Sequence, residues 1–302
     1  MNLPGRYFLL IATLAAATAT PALGQTAIPD LSGIWGRWFT FEQPPSGPGP
    51  VVSRLRRPDG TMILSVVGDY GNPILRPEAA ATIRKIGEAE LAGKVLANPH
   101  NQCWPEPTPF TLSIQLGVQL IQQKDKVVLL YLSDHQVRQV RLNVPHSARP
   151  VPTWQGESVG HYEGDTLVID TIGQKVGPLS MIDRYGTPFS AALHVVERYR
   201  LVDGATARDL QQKHESVYFG AGRSAPPVNA YGRGDIDPDP AKPGLRVEIT
   251  VDDPATFTTP WSALVTYRRV QGTWPEAVCA ENTRGAGASW VSLVPEAAKP
   301  DF

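Results

Sequence analysis

Residues Trp154–Gly173, WQGESVGHYEGDTLVIDTIG, predict two short strands joined by a tight turn at Glu163–Thr166. Successive side chains of a strand point to opposite faces, so Asp170 shares one face with Val168 and Ile172. A carboxylate among apolar neighbours is either paired with a cation or used in chemistry. This hairpin therefore predicts an antiparallel β-sheet that carries a candidate site at Asp170.

Residues 1–24 have the features of an export signal. Arg6 supplies positive charge, and Tyr7–Ala19 is an apolar run too short to span a bilayer comfortably. Ala22–Gly24 then offers small residues for cleavage before Gln25. No later segment of the sequence is long and apolar enough to predict a membrane helix. We therefore expect a periplasmic or secreted protein.

The amino-acid composition limits which fold classes and which partners are possible for this protein. Residues 25–302 are long enough to bury a large core, and 29 Pro with 27 Gly indicate the many turns of a single β-rich domain. The formal net charge of −1 gives no basic field for nucleic acid and no polybasic patch for a membrane surface. The expected partner is therefore a small-molecule ligand or substrate, with no nucleic acid and no membrane span.

The two cysteines, Cys103 and Cys279, are expected to form one disulfide in an oxidising compartment. A link across so long a loop contributes about 4–5 kcal/mol in the chain-entropy model. A catalytic thiol is the functional alternative, and two cysteines this far apart make a poor zinc signature. The sequence contains no HExxH, GxGxxG or P-loop motif, so we expect no metal and no cofactor.

The rest of the chain predicts further strands and one helix. Gly33–Trp35 resembles the first strand of lipocalin-like barrels, and a Trp buried on a first strand is the plainer interpretation. Pro77–Lys94 predicts a helix with Pro at its first position. Residues 204–243 lack clear periodicity and are expected to form a long loop insertion, either disordered or a lid. The expected fold is all-β and mostly antiparallel, a lipocalin-like barrel or deep sandwich with one external helix.

Two more charged residues, Arg138 and Glu197, lie on strand faces that are otherwise apolar, as Asp170 does. A buried cation needs an acid partner, which Asp170 or Glu197 could supply. One interpretation is a buried ion-pair network that fixes strand register. The other is a carboxylate beside a cation, placed to act as a general acid or base with a histidine. We expect all three residues to face the interior of the barrel.

These residues and their neighbours define the predicted site. The catalytic candidates are Asp170, Glu197, His194, His135 and His161. The substrate-binding candidates are Arg138, Tyr199, Trp154 and Trp261. Arg138 would hold developing negative charge, and the tryptophans would stack on rings. For each histidine and tryptophan taken singly, a structural role is the plainer alternative.

Five stretches, in this order, resemble a family of exported, largely uncharacterised bacterial β-rich proteins. They are DHQVRQVRL (134–142), WQGESVGHYEGDTLVIDT (154–171), SAALHVVERYRL (190–201), ITVDDPATFTTPW (249–261) and EAVCAEN (276–282). The EGDTLVIDT and LHVVERYR segments are the most specific. Members of the family tend to carry His where this chain has Phe189. The resemblance implies export and a β-rich fold, and it implies no particular activity.

Two functions fit the sequence. The first is an exported, cofactor-independent enzyme, a lyase, isomerase or hydrolase that uses a carboxylate and a histidine on a small organic molecule in a barrel pocket. The alternative is a periplasmic protein that binds a lipophilic or aromatic ligand without catalysis. An enzyme needs a carboxylate and a histidine within hydrogen-bond reach at an open cavity, whereas a carrier can keep its buried charges paired away from the ligand. An envelope assembly factor, with an exposed apolar patch and no pocket, is a third possibility.

Overall fold

The computed structural model describes residues 28–37, 41–62, 67–94, 96–114, 116–220, 235–237 and 239–272, together with Cys279. The predicted export signal, residues 1–24, lies outside the described residues. None of the helices within these ranges is long and apolar enough to cross a membrane.

Ten strands make up most of the regular secondary structure of the described residues. They are β1 Gly33–Gly36, β2 Val118–Gln122, β3 Lys126–Tyr131, β4 Val137–Leu142, β5 Glu157–Glu163, β6 Thr166–Ile172, β7 His194–Val202, β8 Asp235–Ile236, β9 Gly244–Asp252 and β10 Trp261–Gln271. Most are rich in Val, Ile, Leu and Thr, which pack well on a pleated, half-buried surface. The predicted hairpin is β5 and β6. Its two-residue turn begins at Gly164, whose φ of 62° is a conformation that favours glycine.

Nine of these strands form a closed barrel. Their order is β1-β2-β3-β4-β5-β6-β7-β9-β10, and β1 also pairs with β10, which joins the two edges. The neighbouring strands of this ring are antiparallel except β4 and β5, which run parallel. β8 adds a short pairing with the end of β10. The prediction of a mostly antiparallel all-β barrel is confirmed.

The hydrophobic core fills the inside of the barrel. Alternate residues of each strand point inward. The inward-facing, fully buried residues include Val127, Leu129, Ile169, Val195, Val247 and Ile249. Burial of one such side chain stabilises the fold by about 1.5–3 kcal/mol. Trp35 on β1 is also fully buried, and its indole nitrogen donates to the Leu31 carbonyl at 2.9 Å, which confirms the plainer interpretation of Gly33–Trp35.

Two helices precede β2. α1, Pro77–Leu91, begins with Pro at its first position and is the external helix that the sequence predicts. Its packed face buries Ile83 completely. The short helix α2, Phe110–Ser113, is entirely buried. The Arg37 guanidinium, also buried, donates to the carbonyl of Leu112 in α2 at 2.5 Å.

Helix α3, Gly204–Phe219, corrects the prediction that residues 204–243 form a loop. The Asp203 side chain caps this helix by accepting a hydrogen bond from the Thr206 amide at 2.8 Å. The helix packs on the outer face of β9 and β10. The apolar residues of α3 are too few to give a recognisable helical period in the sequence. The Asp203 N-cap is the sequence feature that could have predicted this helix. Residues 221–234 of the expected loop lie outside the described ranges.

The predicted disulfide is present. Cys103 and Cys279 are bonded across 176 positions of sequence, with their Cα atoms 5.3 Å apart. Cys103 follows α1 and precedes β2, whereas Cys279 follows the last strand of the barrel. The bond therefore ties the segment after α1 to the C-terminal part of the chain.

Candidate functional site

A buried ion pair joins β4 to β7 inside the barrel. Arg138 Nη2 lies 2.5 Å from Glu197 Oε2, and the two side chains are 1% and 0% exposed. Both residues face the interior of the barrel. The evidence is that residues two positions away on the same strand lie on the same face and are also buried. Glu197 is therefore the acid partner of Arg138.

Hydroxyl groups complete the hydrogen bonding of this pair. The Arg138 guanidinium donates to the side-chain oxygens of Ser158 at 2.9 Å, Tyr131 at 3.2 Å and Thr171 at 2.6 Å. The Tyr199 hydroxyl donates to the second Glu197 oxygen at 2.7 Å. Each guanidinium nitrogen and each carboxylate oxygen thus has a partner, which is what a buried charge pair needs in order to be stable.

The electrostatics of the pair stabilise the charge of Arg138. Burial alone would lower the pKa of Arg138, but the adjacent Glu197 carboxylate outweighs burial and raises that pKa above its ordinary value. Burial also raises the pKa of the Tyr199 hydroxyl well above its ordinary value, so the phenol stays protonated and can donate. This arrangement favours the interpretation of a buried network that fixes strand register. Catalysis by Glu197 and substrate binding by Arg138 and Tyr199 stay predictions.

Replacing Glu197 with Gln should destabilise the protein strongly, because the Arg138 charge would be left buried without its counter-charge. Removal of one partner of a buried ion pair costs about 3–5 kcal/mol, to be measured as the free energy of unfolding in urea. Glu163→Gln, which removes the partner of the exposed Arg198, is the control and should change stability little. A Glu197→Gln variant as stable as the parent would contradict a structural role for the pair.

Asp170 faces outward, which corrects the prediction that it lies inside the barrel with Arg138 and Glu197. Its side chain is 38% exposed, whereas its neighbours Ile169 and Thr171 are fully buried on the inner face. Both faces of β6 carry apolar residues, so alternation shows which residues share a face but not which face is the interior.

Two histidines flank the Asp170 carboxylate on the outer face of β6. His146 Nε2 lies 2.8 Å from Oδ1, and His194 Nε2 lies 3.0 Å from Oδ2. His146 Nδ1 also lies 3.1 Å from Glu157 Oε1. His194 is the first residue of β7, but His146 lies in the segment that connects β4 to β5. The sequence analysis missed His146 because only the path of that segment in three dimensions brings it over β6.

These contacts set the charges of the cluster. Partial burial would raise the pKa of Asp170, but hydrogen bonds from His194 and His146 outweigh burial and lower it. The hydrogen bond with Asp170 raises the pKa of His194. Hydrogen bonds from Ser147 lower the pKa of Glu157 to about 2. Both carboxylates are therefore ionised at neutral pH. Within the described ranges, no group of three or more His, Cys, Asp or Glu side chains is arranged to hold a metal ion.

The stability of the protein should depend on pH through Asp170 and His194. The pKa of His194 is raised from 6.5, so its contribution is complete below 6.5 and is lost as pH rises through the raised value. The pKa of Asp170 is lowered from 3.8, so its contribution is present above 3.8 and is lost as pH falls through the lowered value. The stability lost in Asp170→Asn should therefore be larger at about pH 5.5 than at about pH 8.5. An equal loss at both pH values, measured by urea unfolding, would refute this coupling.

The other two predicted histidines lie away from this cluster. His161 is exposed on β5, and its Nε2 lies 3.0 Å from Glu163 Oε1. His135 is exposed at the end of a short 3₁₀ turn that precedes β4. Neither residue is brought next to Asp170 or Glu197, so His194 is the predicted histidine that meets a predicted carboxylate.

The two tryptophans that we predicted to bind rings have different environments. Trp154 is half-buried, packs edge-on against Trp104 at a centroid distance of 5.3 Å, and has the Lys175 ammonium 4.8 Å from its ring centroid. Trp261 is 2% exposed and packs edge-on against Phe257 at 5.8 Å. Because Trp261 occupies an inward position of β10, it packs in the core, and substrate binding by Trp261 stays a prediction.

A cleft of about 760 Å³ lies on the outer face of the barrel, between α3, the strands β7, β9 and β10, and residues 41–62; we call it the outer cleft. Its apolar walls are formed by Phe41, Val52, Met62, Leu210, Val217 and Leu264. Its charged residues are Arg56, Arg200, Lys213, Arg246, Glu42 and Glu248. The sequence predicts a ligand site inside the barrel. This cleft could not be predicted because α3, which forms one of its walls, lies in residues expected to form a loop.

One ion pair lies at the base of the outer cleft. Arg246 Nη1 lies 2.6 Å from Glu42 Oε2, and Thr266 Oγ1 donates to Glu42 Oε1 at 2.8 Å. The Arg246 and Glu42 side chains are only 9% and 12% exposed. Burial lowers the pKa of His214, which also lines the cleft, to about 4, so this imidazole is neutral at neutral pH.

Comparison with known proteins found no match: no family model, no curated protein and no solved structure matches this chain. The resemblance to a family of exported bacterial proteins therefore stays a prediction. The proposals below depend on the geometry of the described residues.

Proposed function

We propose that this protein binds a small, largely apolar molecule in the outer cleft, and that it does so outside the cytoplasm. The observation that carries the proposal is the size and lining of the cleft. Ligand pockets measure about 300–1,000 Å³ and combine mainly hydrophobic walls with a few polar groups. The outer cleft has about 760 Å³, and eight apolar residues line it together with six charged ones.

The pairing of the buried charges supports a binding protein over an enzyme that works inside the barrel. Arg138 and Glu197 are fully hydrogen-bonded to each other and to hydroxyl groups, so their donors and acceptors are already used. The predicted export signal, residues 1–24, supports a location outside the cytoplasm. The disulfide between Cys103 and Cys279 is compatible with that location.

A charge on the apolar wall should weaken ligand binding. Val217 is 47% exposed on α3 and lines the outer cleft, and Val137, 53% exposed on β4, lies outside it. We expect Val217→Asp to weaken binding of the neutral dye 1-aminoanthracene about tenfold, or about 1.4 kcal/mol, because a carboxylate opposes burial of an apolar ligand. Val137→Asp is the matched control and should bind the dye like the parent protein, as measured by fluorescence titration.

The same titration can overturn the proposal. Absence of dye binding by the parent protein, or equal weakening by Val217→Asp and Val137→Asp, would show that the outer cleft is not the ligand site. If dye binding in the outer cleft is established, mass spectrometry of compounds that co-purify with the exported protein would identify the natural ligand.

A second candidate function is cofactor-independent acid–base catalysis by a lyase, isomerase or hydrolase. The observation that favours it is the contact of Asp170 with His194, which orients the imidazole and would make Nδ1 the nitrogen that accepts a proton. Asp170→Asn should then abolish turnover of any substrate found by screening, while the protein remains folded. Asp165→Asn, in the exposed turn of the same hairpin, is the control and should keep full activity. Unchanged turnover in Asp170→Asn would exclude this cluster as the catalytic site.

A further inference from the structure

We infer that the ligand of the outer cleft is an amphipathic organic carboxylate, whose charged end lies among Arg56, Arg200 and Lys213 and whose apolar body lies on the apolar walls. The inference rests on the proposed function, because it names the class of ligand for the same cleft. Three observations carry it: the convergence of cations, the register of β7 with β9, and the excess of positive over negative charge in the cleft.

The three cations come from separate parts of the chain. Arg200 belongs to β7, Lys213 to α3, and Arg56 to the segment that precedes α1. In the part of the chain that the structure describes, the ion pairs do not include any of the three. Arg56 donates instead to the backbone carbonyls of Ser53 and Leu55, which hold its guanidinium in place. Cations that outnumber the carboxylates of a cleft raise the local concentration of anions and stabilise a bound one.

The strand register places two like charges opposite each other. Arg200 on β7 lies directly opposite Arg246 on β9, and both side chains point to the outer face. Like charges directly opposite each other in a sheet destabilise it. The Glu42 carboxylate, whose Oε2 lies 2.6 Å from Arg246 Nη1, balances the charge of Arg246. It does not balance the charge of Arg200, the other cation of this cross-strand pair. A carboxylate bound at Arg200 would supply the missing counter-charge.

The balance of charge in the cleft favours an anion over a cation. Four cationic side chains line the outer cleft against two carboxylates, Glu42 and Glu248. Glu42 is already paired, and Glu248 lies opposite Arg198, not Arg200, in the register of β7 with β9. His214 is neutral at neutral pH and therefore neither adds to the positive charge nor reduces it. The guanidinium groups of Arg56 and Arg200 also have the planar fork that matches a carboxylate.

The experiment compares three probes with the same ten-carbon chain and different ends: decanoate, decan-1-ol and decyltrimethylammonium. Each is titrated into the exported protein that has been loaded with the neutral dye 1-aminoanthracene, and dye displacement gives its affinity. We expect decanoate to bind about tenfold more tightly than decan-1-ol, with decyltrimethylammonium the weakest, because a charge-assisted hydrogen bond adds to apolar burial for the anion alone. The advantage of decanoate should shrink as salt is added.

Two variants assign the effect to the cations. Arg200→Gln and Lys213→Gln should each weaken decanoate binding several-fold and leave decan-1-ol binding unchanged. Arg198→Gln is the matched control, since Arg198 shares the strand and the outer face with Arg200 but lies outside the cleft and contacts Glu163. All three residues are partly or largely exposed, so the variants should fold, which thermal melting checks.

The outcomes separate this inference from the proposed function. If 1-aminoanthracene and all three probes fail to bind, the proposed function fails. If decanoate and decan-1-ol bind equally, or if Arg200→Gln and Lys213→Gln keep the affinity of the parent for decanoate, the cleft binds ligands but the carboxylate inference is wrong. Weakening by Arg198→Gln as large as by Arg200→Gln would also overturn it, because the effect would then reflect overall charge.

Discussion

A guanidinium and a carboxylate face each other inside a barrel that is otherwise filled mainly with apolar side chains, and the arrangement of at least four strands depends on their pairing. Transfer of each ion out of water costs several kcal/mol, which only close contact and full hydrogen bonding offset. Arg138 and Glu197 meet that requirement with hydroxyl groups from β3, β5, β6 and β7. A slip of one residue in β4 or β7 would turn one member of the pair outward and leave the other buried alone. The pair therefore specifies register as well as adding an interaction.

Because Arg138 and Glu197 are hydrogen-bonded to each other and to hydroxyl groups, the ligand site that we propose lies on the outer surface instead. The strands β7, β9 and β10 contribute to both faces of the barrel. Apart from Glu197, their fully buried inward residues are aliphatic or aromatic, and their outward residues include Arg200, Arg246 and Leu264, which line the outer cleft. Helix α3 then covers part of that outer face and converts a sheet surface into a cleft. The core can thus hold the strands rigidly while the outward positions vary in charge and size.

The sequence was sufficient for the parts of the fold that depend on local pattern. The hairpin at Trp154–Gly173, the all-β class, the disulfide and an acid partner for Arg138 followed from alternation, turn residues and the need to pair a buried charge. The sequence was insufficient where the position of a side chain depends on how the sheet closes into a barrel. Asp170 lies on an apolar face that is the outer one, and His146 reaches it from a connecting segment with no pattern of its own. Helix α3 was not predicted because its apolar residues show only a weak helical period, although Asp203 supplies an N-cap.

The barrel has nine strands, which is an odd number. A closed ring in which every pair of neighbouring strands is antiparallel must have an even number of strands. An odd ring has to contain at least one pair of neighbours that run the same way, and here that pair is β4 and β5. Two such neighbours cannot be joined by a hairpin, so residues 143–156 have to travel back along the barrel before β5 begins. That return path carries His146 over the outer surface to Asp170. The contact of His146 with Asp170 therefore owes its existence to the parity of the strand count, and a ring with one strand more or fewer would have no need of the crossing that creates this contact.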